Sequence, residues 1–147
     1  MNINKFEYVS TSKKDFDLPT RSTAKSAGYD FHSPEAFTLQ PGEMIQMSLQ
    51  VKCCINPGEF LMIVPRSSVG FNYNVRLWNT TGIIDEDYYN NETNEGVINL
   101  KITNYGDKPY VVNKNDRIVQ GIFVKYNVTC DDNVTTKRVG GLGSTGI

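Results

Sequence analysis

The sequence has little of what would staple, metallate or strongly charge a protein. It carries three cysteines, Cys53, Cys54 and Cys130, in 147 residues. An odd number with two at adjacent positions is not a disulfide framework. Reduced thiols are expected, in an intracellular setting such as cytoplasm or nucleus, or the host cell for a viral protein. One histidine and no Cys-x-x-Cys pair leave zinc without a ligand set. That histidine, His32, is expected on the surface or in a loop, with no catalytic part. No polybasic run exists and the formal net charge is −1, which excludes nucleic-acid binding by phosphate neutralisation. A small anionic ligand needs only a few placed cations and stays open. No apolar run approaches the roughly 20 residues that cross a membrane, and the polar start, residues 1–11, has no signal-peptide core. No segment repeats apolar residues at i, i+3, i+4 and i+7, so no helix is predicted.

Strand patterns are abundant. Ile45, Met47, Leu49, Val51 and Cys53 alternate with Gln46, Ser48, Gln50 and Lys52. That period of two predicts one strand with one face in a core. Phe60-Leu61-Met62-Ile63-Val64 is a continuous apolar run, as for a strand buried on both faces, and it ends at Pro65. Ile98, Leu100 and Ile102 alternate with polar residues, and Phe6–Val9, Tyr110–Val112 and Ile118–Val124 are further strands. Residues 19–26 read as a loop. Turn signals about every eight to twelve residues imply one all-β domain, a sandwich, barrel or jelly roll. The length favours a single domain with a real core.

Chemistry concentrates in a few stretches. Asn79-Thr80-Thr81 followed by Gly82-Ile83-Ile84 predicts a hairpin that lifts Asp85 out of a sheet. A carboxylate presented there can act as a general base, or the stretch Asp85-Glu86-Asp87 is a solvated acidic loop. Pro65-Arg66-Ser67-Ser68-Val69-Gly70 leaves a strand for a loop with one cation, two hydroxyls and a Gly-freed backbone, suited to phosphate. Residues 135–147, with Arg138 and Gly140-Gly141-Leu142-Gly143-Ser144-Thr145-Gly146, hold too little apolar surface for a core. They read as a disordered end or as a flexible arm that orders over a polyphosphate, with Arg138 gripping oxygens.

Five stretches in this order, 27–31 (Ala-Gly-Tyr-Asp-Phe), 65–70, 82–88 (Gly-Ile-Ile-Asp-Glu-Asp-Tyr), 116–120 (Asp-Arg-Ile-Val-Gln) and 138–146, resemble the motifs of the trimeric dUTPases. The resemblance runs from about Thr20 to the last residue. It implies a distorted jelly roll over residues 1–134 (a β-clip barrel), homotrimers with shared active sites, and an arm over 135–147 that closes on a neighbour's site. It implies hydrolysis of dUTP to dUMP and pyrophosphate, with Asp85 activating water for attack on the α-phosphorus. Arg66 and Ser67 would contact phosphates, Ser68 and Gly70 would add backbone freedom and donors, and Arg138, Gly143, Ser144 and Thr145 would hold the outer phosphates. Main-chain groups from Asn79 through Gly82, Ile83 and Ile84 would read uracil, and Tyr88 would lie under the deoxyribose. Mg²⁺ would arrive on the triphosphate with no direct side-chain ligand, Asp30 and Gln120 touching it through water.

The chain departs from that pattern in three places. Leu142 stands where an aromatic usually caps the uracil, leaving Leu142, Tyr89 or Trp78 to do so. The segment after Tyr88 reads Tyr89-Asn90 and its loop, 91–96, is longer than usual, which suggests a tolerated surface insertion. Gly121 replaces a larger apolar residue. Two other readings are a related dCTP deaminase and a non-catalytic nucleotide-binding or interaction trimer of the same fold. The deaminase needs a glutamate base about where Lys101 stands.

Overall fold

The computed structural model describes residues 1–143 and 145. Its elements in chain order are β1 (Lys5–Tyr8), β2 (Thr20–Arg21), β3 (Tyr29–His32), β4 (Phe37–Leu39), β5 (Met44–Ser48), β6 (Val51–Cys54), β7 (Glu59–Pro65), α1 (Ser67–Tyr73), β8 (Val75–Leu77), β9 (Gly82–Ile84), β10 (Asn99–Asn104), β11 (Tyr110–Val112) and β12 (Arg117–Lys125). A 3-10 turn covers Glu86–Tyr88. All strand pairs are antiparallel, in a five-stranded sheet ordered β2-β3-β12-β7-β9, a three-stranded sheet β5-β10-β8, and the pairs β1-β6 and β11-β4. The all-β expectation holds, with one short helix added among the described residues.

The core lies between these layers. Phe31, Leu49, Leu61, Ile98, Leu100 and Ile118 are its largest fully buried side chains. Phe6 packs on Tyr29, Phe31 and Phe123 with ring centroids 5.3, 5.4 and 5.7 Å apart, which ties β1 to the five-stranded sheet. In β7 Leu61 and Ile63 are buried while Phe60, Met62 and Val64 are half-buried. The apolar run therefore has one inner face and one partly open face in a single chain, not two buried ones.

Several sequence expectations are corrected. The stretch 45–53 is two strands, because Gln50 takes a left-handed conformation (φ 56°). The alternation survives the kink: Met47, Leu49, Val51 and Cys53 all reach the core. β5 pairs with β10 and β6 with β1, so the kink hands the chain from one sheet to another. Burial pushes the Cys53 thiol up to about 12, which makes it inert as a nucleophile. His32 is buried at the end of β3 rather than exposed, and its Nδ1 is unpaired among the described residues. Residues 20–21, expected in a loop, add a two-residue edge strand.

The segment after Pro65, expected as a loop, is helix α1. Its single buried residue is Val69, so no apolar stripe marks it in the sequence. Asn74 ends it in the left-handed region (φ 52°), its N–H returning to the carbonyls of Gly70 and Val69.

Gly121 is explained by packing. A Cβ there would lie 2.9 Å from Phe31 Cε2 and 3.0 Å from Leu61 Cδ1. The Phe31 ring and the Leu61 and Ile63 side chains occupy the space that a larger side chain would need. Gly121→Val is expected to overpack this spot and cost about 1–3 kcal/mol, read as a lowered urea midpoint with an unchanged slope.

Candidate active site

The strands on either side of residues 78–81 do not form a hairpin with each other. β8 joins the three-stranded sheet through β10, and β9 joins the five-stranded sheet through β7. Each is the edge strand of its sheet. Where they part, a cleft of about 490 Å³ opens, within the usual size of small-ligand sites. Its walls are the β9 edge (Gly82, Ile83, Ile84), the β8 and β10 side (Leu77, Trp78, Asn79, Ile98 to Lys101), Asp85 and Tyr88, and the arm residues Arg138, Gly141, Leu142, Gly143 and Thr145. The expected hairpin is thus replaced by a split turn. The outcome for Asp85 is the same: it leaves the sheet directly after β9.

Asp85 and Asp87 are both gripped by one arginine. Arg138 Nη2 donates to Asp85 Oδ2 and Arg138 Nε to Asp87 Oδ1, each at 2.7 Å. The Arg138 side chain is only 8% exposed, while Asp85 and Asp87 remain 55% and 53% exposed. Its guanidinium carbon also lies 5.8 Å from the Tyr88 ring centroid. Residues 138–141 lie against their own chain, where the guanidinium meets two carboxylates. Tyr88 is buried; its hydroxyl donates to the Val97 carbonyl at 2.7 Å and accepts from Asn94 Nδ2 at 2.8 Å.

The other expected site residues sit elsewhere in the single chain. Arg66, Ser67 and Gly70 line a separate cleft with Phe71, Asn74 and Arg76. That cleft shares no lining residue with the first. Ser68 is exposed on α1 and lines neither. Arg66 Nε donates to Asp30 Oδ1 at 2.9 Å, while Asp30 Oδ2 accepts from Ser22 Oγ at 2.8 Å. Asp30 is buried. It anchors Arg66 from the neighbouring strand β3, and Gln120 lies across from it in β12, donating to the Pro65 carbonyl at 3.3 Å. Ser144, expected to bind phosphate, lies outside the described residues.

Of the three candidates for the base cap, Trp78 and Leu142 line the first cleft and Tyr89 does not. Tyr89 donates to Glu7 at 2.7 Å, and that bond pushes its own hydroxyl pKa up. Trp78 is held firmly: its Nε1 donates to Thr103 Oγ1 at 2.8 Å and the Lys101 ammonium lies 3.6 Å from its ring centroid. Trp78 was named from the sequence as a candidate cap; Lys101 was missed as a wall residue, since it belongs to no motif.

The loop 91–96 is built, not slack. Lys52, buried, donates to Asn90 Oδ1 at 2.7 Å and to Glu95 Oε1 at 2.9 Å. The Lys52 contact, then the Ser10 hydroxyl and amide, hold the Glu95 carboxyl down at about 2. Among the described residues no group of three His, Cys, Asp or Glu side chains could hold a metal, and no helix is long and apolar enough to cross a membrane.

Fold and cleft together define an all-β protein with a nucleotide-sized, acid-and-arginine site. A protein-family model described as dUTPase matches residues 14–146. The chain is 39% identical to the deoxyuridine 5'-triphosphate nucleotidohydrolase of Lactococcus lactis, over 99% of both chains. Its structure matches the dUTPase of Streptococcus mutans with TM-score 0.75 at 35% identity, covering 84% of this chain and 97% of that one. A dUTPase mutant from phage phi11 of S. aureus matches with TM-score 0.72 at 20% identity, over 92% and 98%, a likeness of fold alone. The chain belongs to the dUTPase family.

Because the folded state holds Glu95 below its ordinary 4.5, this carboxylate adds stability above that value and loses it as pH falls toward 2. Glu95→Gln is expected to lower Tm at pH 7, and the gap to the wild type should close between pH 4.5 and 2. Scanning calorimetry over that range checks it; a gap independent of pH would contradict the assignment.

Proposed function

We propose that the Asp85 cleft hydrolyses dUTP to dUMP and pyrophosphate, with Asp85 as the base that activates water for attack on the α-phosphorus. The observation that carries this is the shared cleft. An edge strand's main chain, a half-exposed carboxylate and the arm's arginine line one volume of nucleotide size. The outer edge of β9 has no neighbouring strand, so its N–H and C=O groups can pair with the O2, N3–H and O4 edge of uracil. A slot that pairs through fixed backbone donors and acceptors rejects cytosine by mismatch and thymine by crowding. Tyr88, fixed through both its hydroxyl bonds, sits where it can support the deoxyribose and exclude a 2′-hydroxyl.

Arg66 and Ser67 lie in the other cleft, so a complete phosphate grip needs a second copy of the chain. A homotrimer in which one subunit brings Asp85 and another brings Arg66, Ser67, Ser68, Gly70 and Gln120 meets that need. Arg66 then meets the triphosphate with its Nε anchored on Asp30, a preorganised donor for charge that grows on phosphate oxygens. Arg138, Gly143, Ser144 and Thr145 close from the arm. Mg²⁺ accompanies the triphosphate and neutralises its charge with no direct side-chain ligand; Asp30 and Gln120, beside Arg66, would meet it through water. Lys101 in the cleft wall places a cation where a deaminase would need a carboxylate base, which favours hydrolysis at phosphorus.

Asp85→Asn keeps the shape and removes the base. Turnover is expected to fall by about 10²–10⁴-fold, while a non-hydrolysable α,β-imido analogue still binds within about tenfold. Pyrophosphate release from dUTP, UTP, dTTP and dCTP, with and without Mg²⁺, tests the specificity; equal rates on UTP would overturn the role of Tyr88, and ammonia from dCTP would restore the deaminase reading.

A further inference from the structure

Two of the chain's departures from the dUTPase pattern meet in space. The longer loop after Tyr88 lies against the arm that lacks an aromatic cap. Glu92 N–H donates to the Val139 carbonyl at 3.2 Å, and Gly141 N–H donates to Thr93 Oγ1 at 2.7 Å. The fit is close: a Cβ on Gly141 would lie 2.4 Å from Asn94 Nδ2 and 2.7 Å from its Cγ. Asn94 Nδ2 is itself committed to the Tyr88 hydroxyl, so it cannot swing away without releasing a wall of the cleft.

The loop is also held by bonds that do not involve the arm. Asn91 Oδ1 accepts from the backbone and hydroxyl of Thr93 at 3.1 and 3.0 Å and from Asn94 N–H at 3.2 Å. Asn91 Nδ2 donates to Asn94 Oδ1 and to the Tyr88 carbonyl. Lys52 and Glu95 pin the far end. Leu142, by contrast, is 86% exposed, so its side chain contributes little to seating the arm.

We propose that the loop 91–95 is the dock of the C-terminal arm, with Thr93 and Asn94 as positioning residues for nucleotide binding. They set the height of the arm over the cleft through Gly141, and Asn94 couples that height to Tyr88. Backbone hydrogen bonds to this loop take over the seating that an aromatic side chain would otherwise supply. The proposal rests on the Asp85 cleft being the dUTP site.

The test combines kinetics with a built-in reporter. Trp78 is the only tryptophan in the sequence and lines the cleft together with Leu142. Its fluorescence is followed during titration of the full-length protein with the α,β-imido analogue of dUTP. Thr93→Ala, which removes the hydroxyl that accepts from Gly141 and donates to Asn91, is expected to raise KM and weaken analogue binding by about three- to tenfold. Tm should stay unchanged. Thr93→Ser, which keeps the hydroxyl, should restore both. Gly141→Ala should lose more than Thr93→Ala, because its methyl meets the Asn94 amide. If Thr93→Ala and Gly141→Ala match the wild type in KM and in the titration, the dock is wrong. If the wild-type protein leaves dUTP intact, the failure is that of the reaction assignment, and the titration still reports whether the arm responds to the loop.

Discussion

The site depends on one topological constraint: β8 and β9, joined by residues 78–81, go to different sheets. A turn this short normally closes a hairpin, and a hairpin would satisfy both inner edges with each other. Here each strand spends one edge on its own sheet, β8 on β10 and β9 on β7. The opposite edge of β9 keeps its backbone groups beside a cleft. Buried or half-buried backbone donors and acceptors must find partners, so such an edge is a ready recognition surface for a planar base with its own donors and acceptors. The packing of Gly82 on Ile63 keeps β9 tight against β7: a Cβ on Gly82 would sit 3.0 Å from Ile63 Cβ. On the proposed reading, specificity for the base follows from which sheet each strand joins.

The arm's position is a matter of competing charges. Arg138 is buried and pairs with two half-exposed carboxylates. Pairs with one partner this open to water contribute up to about 1 kcal/mol each. A triphosphate carries several negative charges in one place and offers a guanidinium bidentate oxygens. On the proposed reaction the substrate can therefore outbid the acids for Arg138, and the exchange leaves Asp85 free to take a proton from water. The contacts through Val139 and Gly141 do not involve charge, so they can persist while Arg138 changes partners.

Much of this was legible in the sequence, for physical reasons that differ by element. Period-two alternation marked 45–53 and 98–102 because those strands have one buried face; what it could not show was the left-handed kink at Gln50, since Gln is not a residue that advertises φ > 0. α1 was invisible because burying Val69 alone produces no helical stripe. The motif residues were named from the sequence, but sequence order says nothing about which of them share a cleft, and the chain separates Arg66 from Asp85. His32 was misplaced because an isolated polar residue carries no burial signal; the strand around it is buried by its neighbours. The loop 91–96 looked like a surface insertion because Asn, Glu and Thr are loop-forming residues. Its bonds to Lys52 and Ser10 are long-range in sequence, and those among Asn91, Thr93, Asn94 and Tyr88 are local but follow no helix or strand period.

The separation of the two clefts is itself informative about assembly. Arg66 is anchored by Asp30, which also accepts from Ser22 and lies 3.7 Å from Arg117, so this cation cannot migrate across its own chain to reach Asp85 without giving up its direct bond to a buried carboxylate. Losing the closer of its two cations leaves the buried Asp30 charge less well compensated. Bringing a second chain to the first leaves both ion pairs intact and requires only that surfaces meet. The half-buried outer face of β7, with Phe60, Met62 and Val64, and the exposed Phe71 beside Arg66 supply apolar surface that such a meeting would cover. On the proposed reading, half-sites completed by association fit the geometry of this chain better than movement of Arg66 within it.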